Sequence, residues 1–147
     1  MTGLYYEEFT VGETIAHERR RTISESDNQR FCDMTMNQQP LHLDGECAAD
    51  TEFGERLVNG LYTMSLAVGV SIPETTDGTI VANLSYDNVE HPNPVFHGDT
   101  IRVQSRSRTS ARPATASAGS SPCTSRRSKR TIRTNRSSVS STEPRSR

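Results

Sequence analysis

The stretch Thr35-Met36-Asn37-Gln38-Gln39-Pro40-Leu41-His42-Leu43-Asp44 gathers an amide, a histidine and a carboxylate between positions 37 and 44. Histidine titrates near neutrality and a neighbouring carboxylate can orient or tune it, so the trio suits general acid–base work. The same spacing also fits a solvated turn that happens to carry a histidine, and spacing alone does not separate the two. Further on, Asn59-Gly60 sits at the start of the most apolar run of the chain, residues 57–72, just after Leu57-Val58. A helix starting there would offer free N–H groups and a positive dipole end to a developing oxyanion. Gly60 would equally well let such a helix pack closely against a neighbour.

These residues need a frame. Thr14 to Thr22 alternates loosely and reads as a strand. Ser24 with Asp27 three positions on forms a helix-start signature, and Gln29 to Met34 continues a short helix. Asn37 to Asp44 reads as a loop stiffened by Pro40, and Glu46 to Thr51 as a helical turn. Residues 57–72 read as a buried helix, apolar nearly all round and ending at Pro73. Thr79 to Tyr86 reads as a strand, Pro92-Asn93-Pro94 as a break, and Thr100 to Gln104 as a further strand. Three strands about one helix make an incomplete sheet, so more strands are expected to follow.

The 147 residues suit one domain, and the net charge of −1 conceals a sharp division. Residues 1–105 carry 17 Asp and Glu against six Arg and no Lys, whereas residues 106–147 carry 11 Arg and Lys against Glu143 alone. A folded body at 1–105 and an Arg/Ser-rich tail at 106–147 are therefore expected. The body's acidic, lysine-free surface points to a halophilic protein. The tail has too few apolar residues to offset the entropy of ordering and is expected to be disordered. It could neutralise phosphates, although without an aromatic residue to stack on bases. The reading that fits best is a shifted reading frame, because Asp, Glu and Val codons read out of register yield Thr, Ser and Arg. Cys32, Cys47 and Cys123 form no CxxC pair, which excludes a disulfide scaffold or zinc ribbon and fits a reducing cytosol. No apolar run is long enough to cross a bilayer and no secretory signal opens the chain, so a cytoplasmic protein is expected.

Residues 8–104 resemble the MaoC-like dehydratases of the hot dog fold, the (R)-specific enoyl-CoA hydratase group. That pattern runs Gly-Asp-x-Asn-Pro-Leu-His, an acidic residue, Ala-Ala, Phe-Gly, a His-Gly helix start and Pro-Val-x-x-Gly-Asp-Thr. The chain has Met36-Asn37-Gln38-Gln39-Pro40-Leu41-His42, Asp44, Ala48-Ala49, Phe53-Gly54, Asn59-Gly60 and Pro94-Val95-Phe96-His97-Gly98-Asp99-Thr100 in the same order. Its Thr-Met-Asn-x-x-Pro-Leu-His, Leu57-Val58-Asn59 and Asn93-Pro94-Val95-Phe96 look like the mesaconyl-CoA hydratase (β-methylmalyl-CoA dehydratase) subgroup.

The resemblance implies an α+β fold in which a curved antiparallel sheet of five strands wraps a central helix. The last two strands fall where the tail stands, missing or scrambled, and a homodimer is implied. It implies reversible hydration of a 2-enoyl-CoA thioester, branched or dicarboxylic in the named subgroup. His42 matches the catalytic histidine and would shuttle the proton. Gly60 matches the glycine whose N–H faces the thioester oxygen. Asn37 stands where the family has aspartate, and an amide can orient water but not take its proton. Asn37 and Asp44 would then hold the water. Gln39 replaces an asparagine, and Val68 a serine found in some members. No metal or redox cofactor is implied, and CoA is part of the substrate. A hot dog thioesterase or non-catalytic acyl-CoA binder is the alternative. Nucleic-acid binding rests on the tail alone and is the weakest of the three readings. His17, His91 and His97 read as surface or packing residues. Arg19-Arg20-Arg21 could meet CoA phosphates but reads better as a solvated strand end, and Arg56 and Arg102 stay unassigned.

Overall fold

The computed structural model describes residues 2–108, 130–135 and 138–140. The disorder expected for the rest of 106–147 lies outside the described residues.

A turn at Gly12, whose φ of +87° suits glycine, leads into strand β1, Thr14–Thr22. Its antiparallel partner is β3, Thr100–Arg106, in a register running from Thr14 opposite Arg106 to Thr22 opposite Thr100. The register slips between Ala16 and Arg20, and there His17 turns into the interior. Helix α1, Glu25–Met34, starts on a closed capping box. Ser24 Oγ accepts from the Asp27 N–H at 3.1 Å, and Asp27 Oδ2 accepts from the Ser24 N–H at 3.0 Å. The other carboxylate oxygen of Asp27 meets Arg21 Nη2 at 2.7 Å, tying the strand's end to the helix.

The expected loop at Asn37–Asp44 contains one helical turn, α2, Pro40–Leu43. Proline at its first position explains this, since the ring presets φ and the missing N–H is not needed there. A second short helix, α3, Gly45–Ala49, follows at once.

The apolar run becomes helix α4, Gly60–Thr75, shifted three residues from 57–72 at both ends. Asn59 sets the start by accepting the Leu61 N–H on Oδ1 at 2.9 Å. Leu57 and Val58 stay extended, Leu57 bridging Phe96 and the Val58 N–H reaching the Val95 carbonyl at 2.8 Å. Pro73 lies inside the last turn instead of ending the helix. Only one side of α4 is buried, through Thr63, Ala67 and Val70, whereas Leu61 and Ile72 are 58% and 42% exposed. The expectation of an all-round buried helix is therefore corrected, because among the described residues the sheet covers one face. Ala67 and Val70 of α4 form the core with Ile23, Val58, Ile101 and Val103, edged by Tyr62, Leu66 and Val95.

Strand β2, Ile80–Asp87, stands apart from the β1–β3 pair. Two short strands lie within the stretch expected to be a disordered arm: β4, Arg130–Asn135, and β5, Ser138–Ser140. β4 runs parallel to β2, and β5 antiparallel to β3. Both lie along sheet edges, where unpaired N–H and C=O groups template a further strand. In place of the single five-stranded antiparallel sheet expected, α4 packs on a three-stranded antiparallel sheet, β1-β3-β5, and β2 and β4 form a separate parallel pair. Helices with these sheets make an α+β architecture. Among the described residues no helix is long and apolar enough to cross a membrane.

The chain's start is fixed to the far end of α4. The Gly3 N–H donates to the Asp77 carbonyl at 2.8 Å and the Leu4 N–H to the Thr75 carbonyl at 3.1 Å. Gly3 lies so close to the Thr76–Asp77 backbone that a Cβ there would overlap it.

Candidate active site

His42 sits on α2 with its ring turned to the extended segment ahead of α4. Its Nδ1 is 3.0 Å from the Leu57 carbonyl oxygen. A carbonyl only accepts, so Nδ1 carries the proton and Nε2 of the neutral ring keeps a lone pair. The Leu57 N–H in turn donates to the Leu41 carbonyl at 3.2 Å, so α2 and residue 57 are bound in both directions.

The start of α4 hangs on the same segment. Asn59 is 3% exposed, its side chain caps the helix, and its N–H is held by Asn28 Oδ1 at 2.9 Å. The Gly60 N–H heads the first turn, where helical N–H groups lack partners within the helix. The ring of His91 packs directly on Gly60: an added Cβ would stand 2.9 Å from its Nε2.

His42 and Gly60 are thus fixed to one short segment, Leu57–Asn59. Asn37 is held from another side. Its N–H donates to the Cys32 carbonyl at the end of α1, and its Oδ1 accepts the Gln39 N–H at 3.3 Å. Met36, at φ +58°, makes the reversal that ends α1 and returns the Asn37 N–H to the Cys32 carbonyl. Asp44 is exposed and accepts the N–H groups of Glu46 and Cys47 on Oδ1 at 2.9 and 3.2 Å, so it caps α3.

Arg56 pairs with Glu25 of α1 and reaches the Leu43 carbonyl at 3.4 Å, bracing α2 from outside. His97 is half-buried, and desolvation, reinforced by the charge of Arg56, pushes its pKa down. His17 is a packing residue: Nδ1 meets Glu74 Oε2 at 2.9 Å and Nε2 meets Ser105 Oγ at 2.8 Å. Burial raises the Cys32 thiol above its usual range, so it does not supply a thiolate at neutral pH. Arg21 is engaged by Asp27, while Arg19 and Arg20 are exposed.

Two residues at the site escaped the sequence. His91 lies outside every motif and reaches Gly60 only through the fold. Asn28 left a faint signal: a poor helix former set one turn before Cys32, on the face that α1 buries.

The family model of the MaoC like domain matches residues 7–116, running past the change in composition at 105. The chain is 34% identical over 104 residues to the 3-hydroxybutyryl-CoA dehydratase of Methylorubrum extorquens, covering 69% of this chain and 62% of that protein. It is 31% identical over 103 residues to the mesaconyl-CoA hydratase of Cereibacter sphaeroides, covering 70% of this chain but 30% of the relative. The chain therefore spans less than two thirds of either protein. The R-hydratase PhaJ1 of Pseudomonas aeruginosa superposes with a TM-score of 0.62 at 25% identity, over 73% of this chain and 66% of that one. The fold is accordingly the hot dog fold, and the chain belongs to the MaoC-like dehydratase family.

Proposed function

We infer that this chain catalyses the reversible hydration of a 2-enoyl-CoA thioester to a 3-hydroxyacyl-CoA. The observation that carries this is the pairing of His42 and the α4 N-terminus on one segment: a base with a fixed tautomer beside a ready oxyanion site. Nε2 of His42 takes a proton from water as the water oxygen bonds to Cβ of the enoyl group. The C=C electron pair shifts towards the thioester, whose oxygen gains charge and is held by the Gly60 N–H. The enolate then takes a proton at Cα from the imidazolium, restoring the carbonyl and the neutral ring. Asn37 orients the water. Asp44 acts through the fold by capping α3, which sets the end of the α2 turn. No metal or redox group enters these steps.

The match to the mesaconyl-CoA hydratase points to a branched, dicarboxylic acyl group, and the family resemblance to a homodimer. The acidic body is the surface of a protein adapted to salt. The tail is a shifted reading frame; the gene around codon 105 should, in another frame, encode Asp/Glu/Val-rich strands, and their absence from both frames would end that idea. Crotonyl-CoA and mesaconyl-CoA test the activity. Hydration removes the enoyl-thioester absorbance without releasing free CoA. Release of CoA would instead support the thioesterase reading, which the amide at Asn37, standing where the family has aspartate, leaves open.

A further inference from the structure

Asn28 belongs to α1, a helix that carries none of the reacting groups, yet its side chain joins the two halves of the site. It is 1% exposed. Its Nδ2 donates to the His42 carbonyl at 3.2 Å and stands 3.5 Å from the Leu57 carbonyl. Its Oδ1 accepts the Asn59 N–H at 2.9 Å. Turning the amide over would face oxygen against two carbonyls and NH2 against an N–H, so these partners fix its orientation. The Cys32 sulfur lies behind it, 3.9 Å from Asn28 Oδ1 and 3.9 Å from Asn59 Nδ2.

We propose that Asn28 is a positioning residue that holds the His42 imidazole and the N-terminus of α4 at their working separation. One end of its amide grips the backbone of the base; the other grips the residue that caps the oxyanion helix. The Leu57 carbonyl that fixes the tautomer of His42 also lies within reach of Asn28, so loosening the amide loosens the ring. Asn28 is buried, so solvent does not readily replace the lost bonds. The inference rests on the hydratase reading and deepens it.

Asn28→Leu keeps the shape and removes every bond. Asn28→Asp keeps the acceptor for Asn59 but sets a carboxylate against two carbonyls. Both should lower kcat by ~10²-fold, the scale of a displacement of about an ångström. KM should stay within about threefold, because a side chain as buried as Asn28 meets no substrate. In 15N spectra, the single Nδ1–H form of His42 should give way to a mixture of tautomers. A folded Asn28→Leu protein with wild-type kcat and an unchanged His42 spectrum overturns the proposal. The wild-type protein tests it even if neither variant folds. The side-chain NH2 protons of Asn28 should exchange slowly with solvent, and exchange at the rate of an exposed amide also overturns it. Failure of the wild-type protein to hydrate any enoyl-CoA would end the hydratase reading, while the ring spectrum and the exchange rate still decide the role of Asn28.

Discussion

Replacing Gly60 by alanine separates the two reasons for a glycine at this helix start. The new Cβ would stand 2.9 Å from His91 Nε2 and 3.0 Å from its Cδ2 and Cε1. Unstrained contacts lie at about 3.5–4.0 Å, so the ring must withdraw by roughly 0.5–1 Å. His91 is an exposed side chain with room to turn away, so the side chain moves and the backbone does not. A displaced rotamer costs about 0.5–1.5 kcal/mol. The lost freedom of glycine in the unfolded chain offsets about 0.4–1 kcal/mol. The net stability change should stay below about 1 kcal/mol, a Tm shift of a few degrees. Turnover should behave differently, because the methyl group stands beside the N–H proposed to receive the thioester oxygen. Removing one oxyanion donor costs ~10²–10³-fold, so obstructing it should lower kcat by at least about tenfold. The assay pairs thermal unfolding with loss of enoyl-thioester absorbance, for Gly60→Ala alone and combined with His91→Ala. The double variant should regain the wild-type Tm and stay slow. Wild-type kcat in Gly60→Ala would refute the oxyanion role and leave Gly60 as a packing glycine.

The remaining expectations follow from single sites. His42→Ala should lose ~10²-fold or more in hydration rate while keeping its circular dichroism, and near-normal turnover would remove His42 from the mechanism. The Asp27 carboxyl is held below its ordinary value by the Ser24 N–H and by Arg21, against a smaller opposing effect of burial. Glu74 is also held down, the His17 bond and backbone N–H groups together outweighing burial. Both therefore stabilise the fold at neutral pH, and this is lost as pH falls below the ordinary carboxylate range. Urea midpoints between pH 6 and pH 3 should drop less steeply in Asp27→Asn, and parallel curves would contradict this. A thiol reagent should label exposed Cys47 quickly and buried Cys32 only on unfolding, as peptide mapping would show. With 17 acids, six arginines and no lysine in residues 1–105, the protein should gain structure from dilute buffer to molar KCl, and salt-independent circular dichroism would argue against adaptation to salt.

Local chemistry made much of the frame legible. Ser24 and Asp27 form the capping box their types announce, and Thr14–Thr22 is a strand with the bounds read from its alternation. The start of α4 was misplaced by three residues because hydrophobicity cannot distinguish Leu57-Val58 in a strand bridge from the same pair in a helix. An Asn59 side chain free to cap is the feature that decides it. The candidate site divides in the same way. His42 and Gly60 stand out by motif, and a carboxylate at Asp44 beside the histidine invited a catalytic reading. Its bonds to the next helix depend on the chain turning at that point. Asn28 and His91 act across long sequence separations, through contacts that exist only once the chain has folded.

The fixed start of the chain has a practical consequence for handling the protein. Gly3 and Leu4 are bound to Thr75 and Asp77, at the opposite end of α4 from Gly60. At 1.5 Å per residue, the helix's 16 residues set these ends about 24 Å apart. An affinity tag, fluorophore or surface anchor joined ahead of Met1 is therefore delivered away from the Gly60 end of α4, where the candidate site lies. The insertion must come before Gly3, since a bulkier residue at that position would push the end of α4 off its anchor.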